Sequence, residues 1–214
     1  MSTVFGHLDA YLSGMATTGS LTLLSFAVAL VIGVLVAAAR VSPVPPLRWA
    51  GTAYVELVRN TPLAVLMFLL FFGVPKLGYL FTPFTTAAIA LSAYTGAFVG
   101  ETVRSGINSV DRGQAEAARA LGLTFPQTLQ TVVLPQALRT VVAPLGSLFI
   151  ASVKNSSVAF TISVRELVGQ SDHLITETAQ TIPVLLGAVA AFLLLTLPAG
   201  LAVGALERRL AIKR

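Results

Sequence analysis

Residues 20–39 read SLTLLSFAVALVIGVLVAAA, an apolar run without a charge that stops at Arg40. As a helix rising 1.5 Å per residue it reaches roughly 30 Å, the thickness of a bilayer's hydrocarbon core. Working outward, Pro43, Pro45 and Pro46 interrupt the chain over 41–48, since proline lacks the amide that a helix interior needs. Further apolar runs follow, and the spacing predicts spans at about 53–73, 83–107, 141–162 and 178–206. The fourth is interrupted by Lys154-Asn155-Ser156-Ser157. The expected fold is an all-α integral membrane bundle with five transmembrane helices forming one domain over 1–214.

Composition agrees with this reading. Hydrophobic residues make up 55% and charged residues 11% of the 214-residue chain, against about 45–50% and 25% in soluble domains. Cysteine is absent, which excludes disulfides, thiolate metal sites and a cysteine nucleophile. The net charge of +5 sits at the ends of apolar runs, not in a basic stripe, so nucleic acid is not the expected partner. No basic residue precedes Arg40, so no secretory signal is read. His7 and His173 stand in no metal-binding or hydrolytic motif, and no metal or catalytic residue is expected.

Charge bias sets the expected orientation. With the C-terminus inside, the cytoplasmic face carries Arg40, Arg48, Arg59, Arg104, Arg112, Arg119, Arg139, Arg208, Arg209, Lys213 and Arg214. Only Lys76, Lys154 and Arg165 of the 14 basic residues lie elsewhere. The N-terminus is then outside, and the polar segment 108–139 faces the cytoplasm.

Within that segment, Gln114 to Leu121 reads as a short Ala-rich helix. Glu116 lies in its early turns, where a carboxylate favours the helix dipole, and Gly122 is a natural stop. Such a helix either docks in a groove on a partner or simply connects two spans. Charges inside spans are costly and need a partner or a cavity. Glu101 and Arg59, near span ends, either pair locally or border a path. Lys154 with Asn155, Ser156 and Ser157 either lines a substrate path or bonds neighbouring helices.

The run Glu116-Ala117-Ala118, with Gly122 and then Val132-Val133-Leu134-Pro135, resembles the EAA loop of ABC-importer permease subunits. Val132 stands where that family more often has Ile. Asn60-Thr61-Pro62, Leu134-Pro135-Gln136-Ala137 and Lys154 to Ser157 look like the permeases for polar amino acids: glutamate, glutamine, histidine or arginine. Arg40 to Val44, Val58 to Leu63, Arg104 to Asn108 and the tail 207–214 most resemble the actinobacterial glutamate type.

The resemblance implies a multi-pass subunit of a bacterial plasma membrane importer with no enzyme activity of its own. Gln114, Glu116, Ala117, Ala118 and Gly122 would meet a cytoplasmic ATPase dimer. Lys154, Asn155, Ser156, Ser157, Glu101 and Arg59 would border the substrate path. The implied partners are a second permease, identical or a sister chain, an extracytoplasmic amino acid binding protein, a polar amino acid and membrane lipid. The phosphate-cradling G-x-x-x-x-G-K-[ST] loop is absent, so ATP and Mg belong to the partner ATPase and no cofactor is expected on this chain. An ATPase-independent secondary transporter or channel is the alternative, although the internal repeats common in that class are not seen.

Overall fold

A computed structural model describes residues 6–210, which are helical throughout apart from short turns. In chain order the elements are α1 (Leu8–Val41), α2 (Pro45–Arg59), α3 (Leu63–Phe68), α4 (Pro83–Asn108), α5 (Arg112–Ala120), α6 (Phe125–Thr128), α7 (Leu134–Asn155), α8 (Leu167–Thr178) and α9 (Thr181–Leu210). A π turn (Leu69–Gly73) and a 3-10 turn (Val74–Leu77) extend α3, a π turn (Leu129–Val133) joins α6 to α7, and a 3-10 stretch (Ser156–Ile162) continues α7.

The packing is inverted relative to a soluble bundle. Along α1 the buried positions include Tyr11 and Leu21, and from Thr18 onward Thr22, Ser25, Ala29, Gly33 and Ala37 make a stripe of small residues at three- and four-residue spacing. Leu23, Val31 and Leu35 on the opposite face are more than 60% exposed. Lipid tails are as apolar as leucine, so large side chains gain nothing by turning inward, whereas small ones let backbones approach. A Cβ at Gly33 would lie 2.3 Å from Val99 Cγ1, and one at Gly96 would lie 2.9 Å from Ile32 Cγ2. The α1–α4 pair is therefore a close-packed seam of the fold. Sequence reading offers Gly96, Ala97, Gly100, Gly187 and Gly204 as small residues for a dimer contact. Gly96 and Gly100 are instead consumed against α1, and Gly187 against Tyr11.

Among the described residues, three helical stretches are long and apolar enough to cross a membrane: Leu8–Val41, Pro126–Ile162 and Thr181–Arg209. The pair Pro45–Arg59 and Leu63–Leu77 makes a fourth if counted as one broken span. Helix α4 has the length, but inward-facing Thr86, Ser92 and Thr95 lower its hydropathy. The stretch expected to cross at 53–73 is not one rod. It bends by 104° at Asn60-Thr61-Pro62, where Pro62 caps α3 and its ring prevents Thr61 from continuing α2.

The other expected spans, 20–39, 83–107, 141–162 and 178–206, fall within α1, α4, the α6–α7 rod and, except for its first three residues, α9. The rods are mostly longer than the apolar runs. A helix ends where its backbone is capped or broken, not where its hydrophobicity ends. Lys213 and Arg214, counted among the cytoplasmic charges, lie outside the described residues.

Candidate functional site

At the end of the bundle where arginines collect, Asp111 starts α5 by accepting the Gly113 amide at 2.7 Å. Helix α5 ends in a paired C-terminal motif. Leu123 N–H donates to the Ala118 carbonyl at 3.1 Å and Gly122 N–H to that of Arg119 at 2.9 Å. This closure requires a left-handed residue, and Gly122 supplies it at φ +82°. Gln114, Glu116, Ala117 and Gly122 are exposed, whereas Ala118 is turned inward at 4% exposure. Of the two alanines expected to meet a partner, Ala117 is presented and Ala118 seats the helix. A cavity of about 410 Å³ lies beside α5, bordered by Asn108, Asp111, Ala115 and Val133.

At the same end, Glu101 gathers three guanidiniums. One carboxylate oxygen takes Arg104, and the other takes Arg40 and, at 3.6 Å, Arg59. The cluster ties α1, α2 and α4 together, which is the local-pairing reading of Glu101. Arg59 also lies over the Phe98 ring, 5.1 Å from its centroid.

The polar cluster at the end of α7 does not converge on one space. Lys154 and Ser157 border a mostly apolar cavity of about 330 Å³ with Val168, Val189, Phe192 and Thr196. Asn155 faces the opposite side, bordering about 150 Å³ with Tyr94, Thr95, Phe98 and Leu148. Ser156 is fully buried and donates to the Val153 carbonyl at 2.7 Å. Lys154 is exposed and forms no ion pair with any described residue. A cation at mid-bundle is therefore left without a neutralising partner among the described residues.

Sequence reading passed over Glu166, which is wholly buried. Its carboxylate caps α8, accepting the amides of Val168 and Gly169 at 2.9 Å each. The next amide, Leu167, donates to Thr18 Oγ1 at 3.2 Å, which ties α8 to α1. Burial pushes the Glu166 carboxyl above its ordinary range, and the amides that it accepts pull it back down. The available signal was an acid directly before the run Leu167-Val168-Gly169, where a carboxylate can accept the free amides of a helix start.

Residues 29–212 match the family described as "Binding-protein-dependent transport system inner membrane component". The chain belongs to this family of membrane permease subunits, which are not enzymes. It is 38% identical to the probable glutamine ABC transporter permease GlnM of Bacillus subtilis, covering 98% of this chain and 97% of that one. It is 39% identical to the glutamate transport system permease GluC of Corynebacterium glutamicum over the full length of both. A crystal structure of an amino acid ABC transporter superposes with a TM-score of 0.92 at 30% identity, covering 96% of each chain. The MetNI methionine transporter shares the fold, with a TM-score of 0.74 at 21% identity over 96% of each chain.

Proposed function

We propose that this chain forms part of the membrane path of an ATP-driven importer for a polar amino acid, with glutamate or glutamine the favoured cargo. The observation that carries the reading is the exposed, doubly capped α5, with Glu116 and Ala117 on its outer face between the rods α4 and α6–α7. A helix so held transmits a push: its caps keep it whole, and it is joined to two long helices by turns of a few residues. We place it in a cleft of a cytoplasmic ATPase, with five spans, the N-terminus outside and the C-terminus inside. The cargo assignment is supported by the relatives named for glutamine and glutamate.

Glutamate carries two carboxylates and one ammonium group, and glutamine one of each with an amide, so either needs cationic and hydrogen-bonding partners. Lys154 supplies an unneutralised cation. On the other side of α7, Asn155, Tyr94 and Thr95 supply neutral partners beside Phe98, over whose ring Arg59 lies, whereas Glu101 borders a separate cavity with Thr102, Ser105 and Thr140. The mostly apolar lining around Lys154 offers its ammonium few competing acceptors. A binding protein outside, a second permease and the ATPase dimer complete the assembly.

Two measurements on the assembled transporter test this reading. Competition of uptake by the twenty amino acids should single out glutamate or glutamine, and competition by apolar amino acids alone would exclude it. Glu116→Lys should abolish uptake and weaken ATPase co-purification while the chain still inserts. Full uptake with normal co-purification would remove α5 from coupling, and sodium- or proton-driven uptake without the ATPase would favour a secondary transporter.

A further inference from the structure

Helix α2 crosses its neighbours instead of running in line with α3. Gly51 packs against Val36, Ala39 and the Arg40 side chain of α1. The Tyr54 hydroxyl donates to the Ala93 carbonyl at 2.5 Å, and Arg59 reaches Phe98 and Glu101 on α4. The 104° bend then sends the chain into α3. An oblique helix at the arginine-rich end of a membrane bundle has the placement of an interfacial helix.

Its faces have the matching composition. Gly51 and Val55 are buried against the bundle. Leu47, Ala50, Tyr54 and Leu57, at three- and four-residue spacing, form one flank, with Leu47 49% and Leu57 70% exposed. Arg48 and Arg59, three helical turns apart, share the other flank. Trp49, the only tryptophan of the chain, is 76% exposed between them. An apolar flank, a basic flank and an exposed indole are what the headgroup layer of a bilayer selects.

The charges do not balance. Arg40, Arg59 and Arg104 share the single carboxylate of Glu101, Arg48 has no ion pair among the described residues, and Glu56 bonds Asn60 at 3.3 Å and no arginine. The Arg104 Nε is buried without a partner. We propose that α2 lies in the headgroup layer at the α5 end, and that Arg48 and Arg59, at its two ends, each bind the phosphate of an anionic phospholipid. The guanidinium fork fits two phosphate oxygens, and Trp49 and Leu57 rest on the upper acyl chains. Naming this the cytoplasmic leaflet rests on the orientation proposed above; the lipid site itself does not.

Trp49 supplies the probe. The assembled transporter is placed in nanodiscs of brominated phosphatidylglycerol or brominated phosphatidylcholine. The signal of a Trp49→Phe assembly is subtracted to leave Trp49 alone. Brominated phosphatidylglycerol should quench Trp49 about twofold or more beyond brominated phosphatidylcholine at equal mole fraction. Arg48→Gln with Arg59→Gln should abolish that preference while quenching by phosphatidylcholine persists.

Equal quenching by the two lipids, no quenching by either, or a preference unchanged in the double variant overturns the proposal. Loss of the preference on adding excess inorganic phosphate also overturns it, because the site would then take a free anion. ATPase stimulation by the binding protein and its amino acid, measured in the same discs, scores the permease reading separately. A responsive transporter without lipid preference defeats only the lipid site.

Discussion

Lys154, exposed within a span, and Glu166, buried just beyond one, are charges with opposite fates. Lys154 has no neutralising group among the described residues, which points its role toward a partner or the cargo, and Lys154→Ala should lower uptake at least tenfold while leaving basal ATPase intact. Transport assays in proteoliposomes check this, and unchanged uptake would assign the residue to packing. Glu166 is satisfied internally and titrates. With its pKa raised above the ordinary 4.5 in the folded state, the native chain holds the proton more tightly than the unfolded one. This contribution to stability is therefore complete below 4.5 and is lost as pH rises through the raised value. Melting temperature should fall with pH across that window, and Glu166→Gln should flatten the slope. A slope that survives the substitution assigns it to other groups.

At the scale of elements, glycine decides two structures. Gly122 holds a left-handed conformation that costs a side-chain-bearing residue about 1–2 kcal/mol, so Gly122→Val should fray the end of α5. Binding-protein-stimulated ATPase should drop while the protein still purifies as an assembled complex; full stimulation would show that α5 tolerates a loose end. Gly33 sits where a Cβ would strike Val99 and the Gly100 amide. Gly33→Val should lower stability by about 1–3 kcal/mol through overpacking, read as a lower melting temperature in detergent.

Much of this was legible in sequence. The apolar run 20–39 lies within α1, and Gly122 marks the end of α5. The break at Asn60-Thr61-Pro62 was not anticipated, because the apolar stretch 63–72 outweighed one proline in a reading based on hydropathy. Nor was the inner stripe of α1, because threonine, serine and alanine between leucines give no amphipathic signal when both faces are apolar.

At the scale of the molecule, the Glu101 cluster fastens three helices at the end that carries α5. Removing its only carboxylate leaves Arg40, Arg59 and Arg104 facing one another. Glu101→Gln should destabilise by ~2 kcal/mol, less than for a fully buried pair because the groups are partly hydrated. Thermal unfolding in detergent at low and high salt measures this. A variant as stable as the parent would show that the α1–α4 packing alone holds the end.

The sequence by itself determined that the chain is helical, membrane-embedded, free of a nucleotide loop, and similar to importer permeases through 116–135. Those properties rest on composition and local spacing, which need no partner residue far away in the chain. Tertiary structure decided that Glu101 is triply paired, that Asn155 and Lys154 face different cavities, that Ala118 turns inward, and that α2 crosses the bundle. Each depends on which helix lies opposite, and in a bundle whose faces are all apolar only the packing of small residues chooses that neighbour.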